Sequence, residues 1–142
     1  MTRIYGSDSD RKAVSLSERN IEKIISGFRR NNAGSAAIIQ PEFFNIPMEK
    51  AEIPEGANTG SGETNEGFII TNPPYGKRLG SPEESEEIYK KMGSLAERFP
   101  GWKLAVITDH PGFESFFGKK ADSGREITNG AVQSYIFQYE KL

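Results

Sequence analysis

Gly67-Phe68-Ile69-Ile70-Thr71-Asn72-Pro73-Pro74-Tyr75 is the stretch on which the reading of this chain turns. Its first five residues form an apolar run of strand length and are expected to be a short buried strand. A polar amide, two prolines and an aromatic ring then stand at the carboxyl end of that strand. Asn72 offers an amide oxygen, and Pro73 lacks a backbone N–H but keeps its carbonyl. Two acceptors side by side can take both protons of a planar –NH2 group, while Tyr75 can lie flat on the ring that carries it. The combination suits methylation of an exocyclic base nitrogen. The structural alternative is a tight turn with a buried tyrosine.

Working outward, strands and helices alternate. A strand is expected at Arg3–Ser7, followed by a helix that Asp10 caps and Arg11-Lys12 open. Val14, Ile21, Ile24, Ile25 and Phe28 recur at helical spacings as its buried stripe, and Gly34 is its stop. Ala36–Gln40 reads as a second strand and Pro41–Pro47 as a loop holding two adjacent aromatics. Residues 49–66 are poor in apolar side chains and read as a mobile loop; within them, Gly60-Ser61-Gly62-Glu63-Thr64 resembles a cofactor loop but follows no strand. Ser81-Pro82-Glu83-Glu84 is a cap, a first-position proline and two acids at a helix start. Ile88, Met92, Leu95, Ala96 and Phe99 line the core side of that helix, and Pro100-Gly101 ends it. A central strand at Lys103–Thr108, a short helix from Pro111 to Phe117, and a hairpin turning at Asn129-Gly130 complete the pattern. The order β-α-β-β-α-β-α-β-β is an α/β layer architecture. In open sheets of this kind ligands sit off the carboxyl ends of the strands, where Asp8, Glu42-Phe43 and Asn72–Tyr75 are all expected.

Asp8 ends its strand, and a carboxylate there can accept from both hydroxyls of a ribose or cap a helix; Asp10 is the better placed cap. Phe43 can pack on a planar ring or fill core. His110 is the only histidine and reads as a loop residue without a nucleophile or metal partner. Lys77 and Arg78 can meet phosphate beside a target base or remain solvated; Lys119, Lys120 and Arg125 read as solvent-facing.

Composition bounds the rest. At 142 residues one domain is expected, and 35% apolar content permits a modest core. No apolar run approaches the length that spans a bilayer. No leader is expected ahead of the first strand, the absence of cysteine excludes a disulfide framework and a cysteine-based metal site, and a cytoplasmic origin is expected. Eighteen basic against twenty acidic residues, net −2, do not look like a dedicated nucleic-acid grip.

Asn72-Pro73-Pro74-Tyr75-Gly76-Lys77-Arg78-Leu79-Gly80 resembles the ribosomal RNA guanine-N2 methyltransferase family, also described as adenine-N6-specific DNA methylases. Tyr5-Gly6-Ser7-Asp8-Ser9-Asp10, Arg98-Phe99-Pro100-Gly101-Trp102 and Asn129-Gly130 before a strand carry the resemblance along nearly the whole chain. It implies an S-adenosylmethionine-dependent transfer to an exocyclic amine, most directly guanine in large-subunit ribosomal RNA. Asn72, Pro73, Pro74 and Tyr75 would be catalytic. Asp8 would bind the cofactor's ribose, Glu42 (where relatives more often carry Asp) its adenine amine, and Phe43 its ring. Lys77 and Arg78 would meet nucleic acid. Against that family's pattern the first strand, its glycine loop, the next helix and a preceding RNA-binding domain are expected to be missing. The fold class is then an incomplete Rossmann-like methyltransferase sheet with a C-terminal antiparallel hairpin, residues 1–142 forming one partial domain. The resemblance further implies weak or absent cofactor binding by the isolated chain. It also implies direct pairing of the two exposed strand edges, or self-association through them, in place of an open slot. Glutamine methylases of release factors, a DNA-adenine methylase and a catalytically inactive fragment are the other readings of the same clamp.

Overall fold

The computed structural model describes residues 3–31, 38–54, 67–74, 81–129 and 132–142. The chain forms two compact units, Met1–Ala51 and Glu52–Leu142.

The first unit is a βαβ crossover: β1 (Tyr5–Ser7), α1 (Arg11–Asn31) and β2 (Glu42–Phe44), with β1 and β2 parallel. Asp10 caps α1 as expected, its Oδ1 accepting the Lys12 N–H at 2.8 Å. Val14 and Ile25 are buried along one line of the helix. Ile24 and Phe28 are not part of that buried line: they are 64% and 44% exposed. One residue turns the helix by about 100°, so Ile24 and Ile25 cannot share a face. The second strand is also displaced from its expected place. Residues 38–40 are not in a strand, and β2 lies inside the stretch read as a loop. The adjacent aromatics decide this. Phe43 crosses Gly6 so closely that a Cβ there would lie 2.7 Å from the ring, and Phe44 sits 6.1 Å from Tyr5. Pro41 can precede the strand because its missing N–H falls outside the ladder. Glu42 N–H donates to the Ile4 carbonyl at 3.0 Å at one end, and Asp8 N–H to the Phe44 carbonyl at 3.2 Å at the other.

The second unit carries a four-stranded sheet in the order β3 (Phe68–Thr71), β4 (Lys103–Thr108), β6 (Val132–Tyr139), β5 (Ser123–Asn129). β3 and β4 are parallel, and β6 runs antiparallel to both of its neighbours. The helices are α2 (Pro82–Met92), α3 (Leu95–Arg98) and α4 (Phe113–Phe117). β4 alternates strictly, with Leu104, Val106 and Thr108 buried. The register puts Leu104 opposite Tyr139 and Val106 opposite Phe137. Tyr89, Met92, Leu95, Phe99, Phe113 and Phe117 complete this core. Phe113 is its centre, 5.0 Å from Tyr89, 5.3 Å from Phe117 and 5.5 Å from Phe137 between ring centroids. Aromatics buried to this degree contribute on the order of 2–3 kcal/mol each, so this cluster dominates the unit's stability.

Further expectations change here. The helix read as continuous from Pro82 to Phe99 breaks at Gly93-Ser94, where the Phe117 carbonyl comes within 2.9 Å of the position a Gly93 Cβ would take. β3 is not buried: Phe68 is 54% and Ile70 74% exposed. It is an edge strand, paired only with β4 among the described residues. β1 likewise pairs only with β2 among the described residues. The hairpin register joins Asn129 to Val132, leaving 130 and 131 as the link; both lie outside the described residues, as do the Gly34 helix stop and the Gly60–Thr64 loop.

Candidate functional site

Asn72 is the first residue beyond β3, and the proline after it sets its conformation. A residue before proline is held near extended backbone, and Pro73 cannot donate to a ladder, so the strand must end at Thr71. Asn72 is exposed, Pro73 buried and Pro74 exposed. The buried ring anchors the loop while the amide of Asn72 stays in solvent, where it makes no hydrogen bond among the described residues. Tyr75, Lys77 and Arg78 lie outside the described residues.

Since Thr71 stands opposite Val106 in a parallel pair, the Asn72–Pro74 stretch leaves the sheet at the same end as Thr108, Asp109 and His110. A polar network organises that end. The Thr108 hydroxyl is buried, sits 2.8 Å from the Tyr89 hydroxyl, and accepts the His110 N–H at 3.1 Å. His110 Nδ1 accepts the Gly112 N–H at 3.1 Å, and its Nε2 lies 3.8 Å from Glu86 Oε1. The imidazole is held edge-on to Tyr89 at 5.8 Å and to Phe116 at 5.3 Å. His110 therefore bends the chain from β4 into α4, close to the loop role expected of it. Thr108 and Tyr89 are not legible in the sequence as site-building residues. Their one signal is a hydroxyl in an otherwise apolar strand and a tyrosine on the apolar line of a helix.

In the first unit Asp8 follows β1 and is exposed. Its Oδ1 accepts the Asp10 N–H at 2.7 Å, so the carboxylate is not wholly free. Its other oxygen makes no hydrogen bond among the described residues. Glu42 and Phe43 do not follow a strand: they are in β2, with Glu42 at its amino end. Asn45 takes the carboxyl-end position instead, its Nδ2 donating to the carbonyls of Asp8 and Ser9 at 3.0 Å each. Asn45 thereby pins the loop on which Asp8 sits. A rigid carboxylate with one free oxygen, exposed off a strand end, fits a ribose diol. No group of three or more metal-ligating side chains occurs among the described residues.

The Asn-Pro-Pro-Tyr loop thus leaves the end of a strand in an α/β sheet, and comparison with known proteins places the chain among methyltransferases. The profile described as RMKL-like, methyltransferase domain matches residues 1–136, and the chain belongs to that family of methyltransferases. The ribosomal RNA large subunit methyltransferase K/L of Hydrogenovibrio crunogenus is 31% identical over 138 residues, which are 96% of this chain and 16% of that protein. The enzyme of the same name from Shewanella oneidensis is 34% identical over 132 residues, 92% of this chain and 16% of that protein. The chain thus spans about one sixth of the length of these relatives. Among solved structures, SMU.472 complexed with SAH superposes with a TM-score of 0.71 at 24% identity, over 98% of this chain and 32% of that one. The likeness extends the α/β assignment to a methyltransferase-type fold.

Proposed function

We propose that residues 1–142 act within one methyltransferase domain that transfers a methyl group to an exocyclic amine of a base in RNA, with guanine N2 in large-subunit ribosomal RNA as the target. The observation that carries the reading is the Asn72–Pro74 geometry: an exposed, unengaged amide beside a proline ring locked in the core. Bound S-adenosylmethionine supplies the methyl group. Asp8 holds the ribose of that cofactor; Glu42 and Phe43 are not assigned to its adenine, since Glu42 stands at the amino end of β2, opposite Tyr5, and the Phe43 ring lies against Gly6. The Asn72 side-chain oxygen and the Pro73 carbonyl accept the two protons of the target amine. This steers the nitrogen lone pair out of conjugation with the ring, which is the obstacle to its attack. Tyr75 stacks on the turned-out base, and Lys77 and Arg78 meet the adjoining phosphates. Positioning and matched dipoles account for the rate. The ribosomal RNA enzymes among the relatives favour RNA over DNA adenine or a protein glutamine.

The test is transfer of labelled methyl from S-adenosylmethionine to ribosomal RNA by the intact enzyme that contains residues 1–142. Asn72→Ala should lower turnover by roughly 10²-fold or more while leaving cofactor affinity nearly unchanged. Tyr75→Ala should weaken RNA binding by about 1–3 kcal/mol, and Tyr75→Phe should keep most activity. Near-normal turnover in Asn72→Ala would end the amine-clamp reading.

A further inference from the structure

The outer face of α1 carries a stripe of cations that neither the fold nor the clamp uses. Lys12, Arg19, Lys23 and Arg30 are all exposed and lie seven, four and seven residues apart. At about 100° per residue these four fall within a band of about 40°, opposite the line of Val14 and Ile25 that is buried. The band runs about 27 Å along the helix at its rise of about 1.5 Å per residue. The two acids of α1, Glu18 and Glu22, fall outside it, on the flank shared with Arg11 and Arg29. No ion pair holds any of the four among the described residues; Arg19 makes only a local bond, Nε to the Ser15 carbonyl at 3.3 Å. Ser26 and Gly27 fill the gap before Arg30 with little bulk.

A chain of net −2 has acids to spare, yet none interrupts this line. A face kept merely for solubility carries both signs interspersed. A single-sign line of this length matches a polyanion. We propose that the outer face of α1 is a docking surface for the phosphodiester backbone of RNA, a grip separate from the clamp that turns the target base out. It rests on the RNA reading of the clamp and gives that reading an electrostatic anchor. A membrane surface is the weaker fit. Of the exposed apolar groups of α1 only Leu16 lies beside this band; Ile24 and Phe28 lie about 120° and about 160° round the helix from it, so cations and apolar groups do not share one lipid-facing side.

The experiment is titration of the whole protein with a short labelled RNA hairpin over a range of salt. Lys12, Arg19, Lys23 and Arg30 are replaced together by Gln in one variant; the control variant replaces Arg11, Arg29, Lys120 and Arg125 by Gln. Both remove the same charge from exposed positions. The stripe variant should flatten the slope of log affinity against log salt by about 3, equal to roughly 60-fold in affinity over a fourfold rise in salt. The control should keep most of the wild-type slope. Should the quadruple variant misfold, the pairs Lys12→Gln/Arg19→Gln and Lys23→Gln/Arg30→Gln should each give about half the change. Equal loss in stripe and control, no loss in either, or wild-type binding to phosphatidylserine vesicles but not to RNA overturns the proposal. Asn72→Ala separates the two readings. It should lower turnover by roughly 10²-fold or more with the salt slope intact, so the clamp can stand if the stripe fails.

Discussion

Asn72 and Thr108 represent two opposite uses of a polar side chain at the end of a strand. Asn72 is left in solvent with its amide unspent, and Thr108 is sealed in the core as a joint between β4, α2 and the His110 turn. Burial makes the second arrangement testable by stability alone. Tyr89→Phe removes one partner of the Thr108 hydroxyl but leaves its bond from the His110 N–H, and should cost about 1 kcal/mol. Thr108→Val removes both bonds of the joint at once, which should raise the loss to about 1–3 kcal/mol. Denaturant midpoints measure both. A Thr108→Val loss no larger than that of Tyr89→Phe would mean that the bond from the His110 N–H adds nothing to stability.

At the scale of elements, the helix ends are where local chemistry is most exposed to test. Ser81 occupies the cap position of α2 but makes no side-chain bond to a free N–H of the first turn. Glu83 is the group that works there. Its own backbone N–H, and after it the Ser81 hydroxyl, hold the carboxylate below its ordinary range. A lowered value in the folded state means that this stabilisation is present above the ordinary carboxylate range and is lost as pH falls through the lowered value. Glu83→Gln should therefore reduce stability at neutral pH, and the difference from wild type should vanish in strong acid; a constant offset across pH would contradict it. Gly118, which ends α4 at φ 84°, is a backbone case, since nothing lies within 4 Å of the position its Cβ would take. Gly118→Ala should cost about 1 kcal/mol by thermal or chemical denaturation, and Gly118→Asn less, because Asn tolerates the left-handed region.

For the whole molecule, the question is what meets β3. Phe68 and Ile70 point to one face with most of their area exposed, and the strand carries no charge, bulge or internal proline to discourage a partner. A second copy of the chain is expected at this edge when residues 1–142 are tested by themselves. Self-association is expected to rise with concentration in sedimentation velocity, and Ile70→Lys should abolish it while leaving the buried Leu104 and Val106 layer untouched. A wild-type chain that stays monomeric at every concentration would refute this.

The boundaries of β3, β4 and the start of α2 are legible from the chain because each is set within a few residues: a proline that cannot extend a ladder, an alternation of period two, a Ser-Pro-Glu start. The element order, and the loop that carries Asn72, come from the same short-range rules. What the tertiary structure decided are the choices that depend on a distant neighbour. Ile38 and Ile39 are as apolar as any strand, yet β2 forms at Glu42–Phe44 because Gly6 leaves room for the Phe43 ring. The helix that should run to Phe99 breaks at Gly93 because the end of α4 lies against it. Phe68 and Ile70 look like core and stand at an edge, since hydrophobicity in a sequence records a tendency to be covered and only packing assigns the cover.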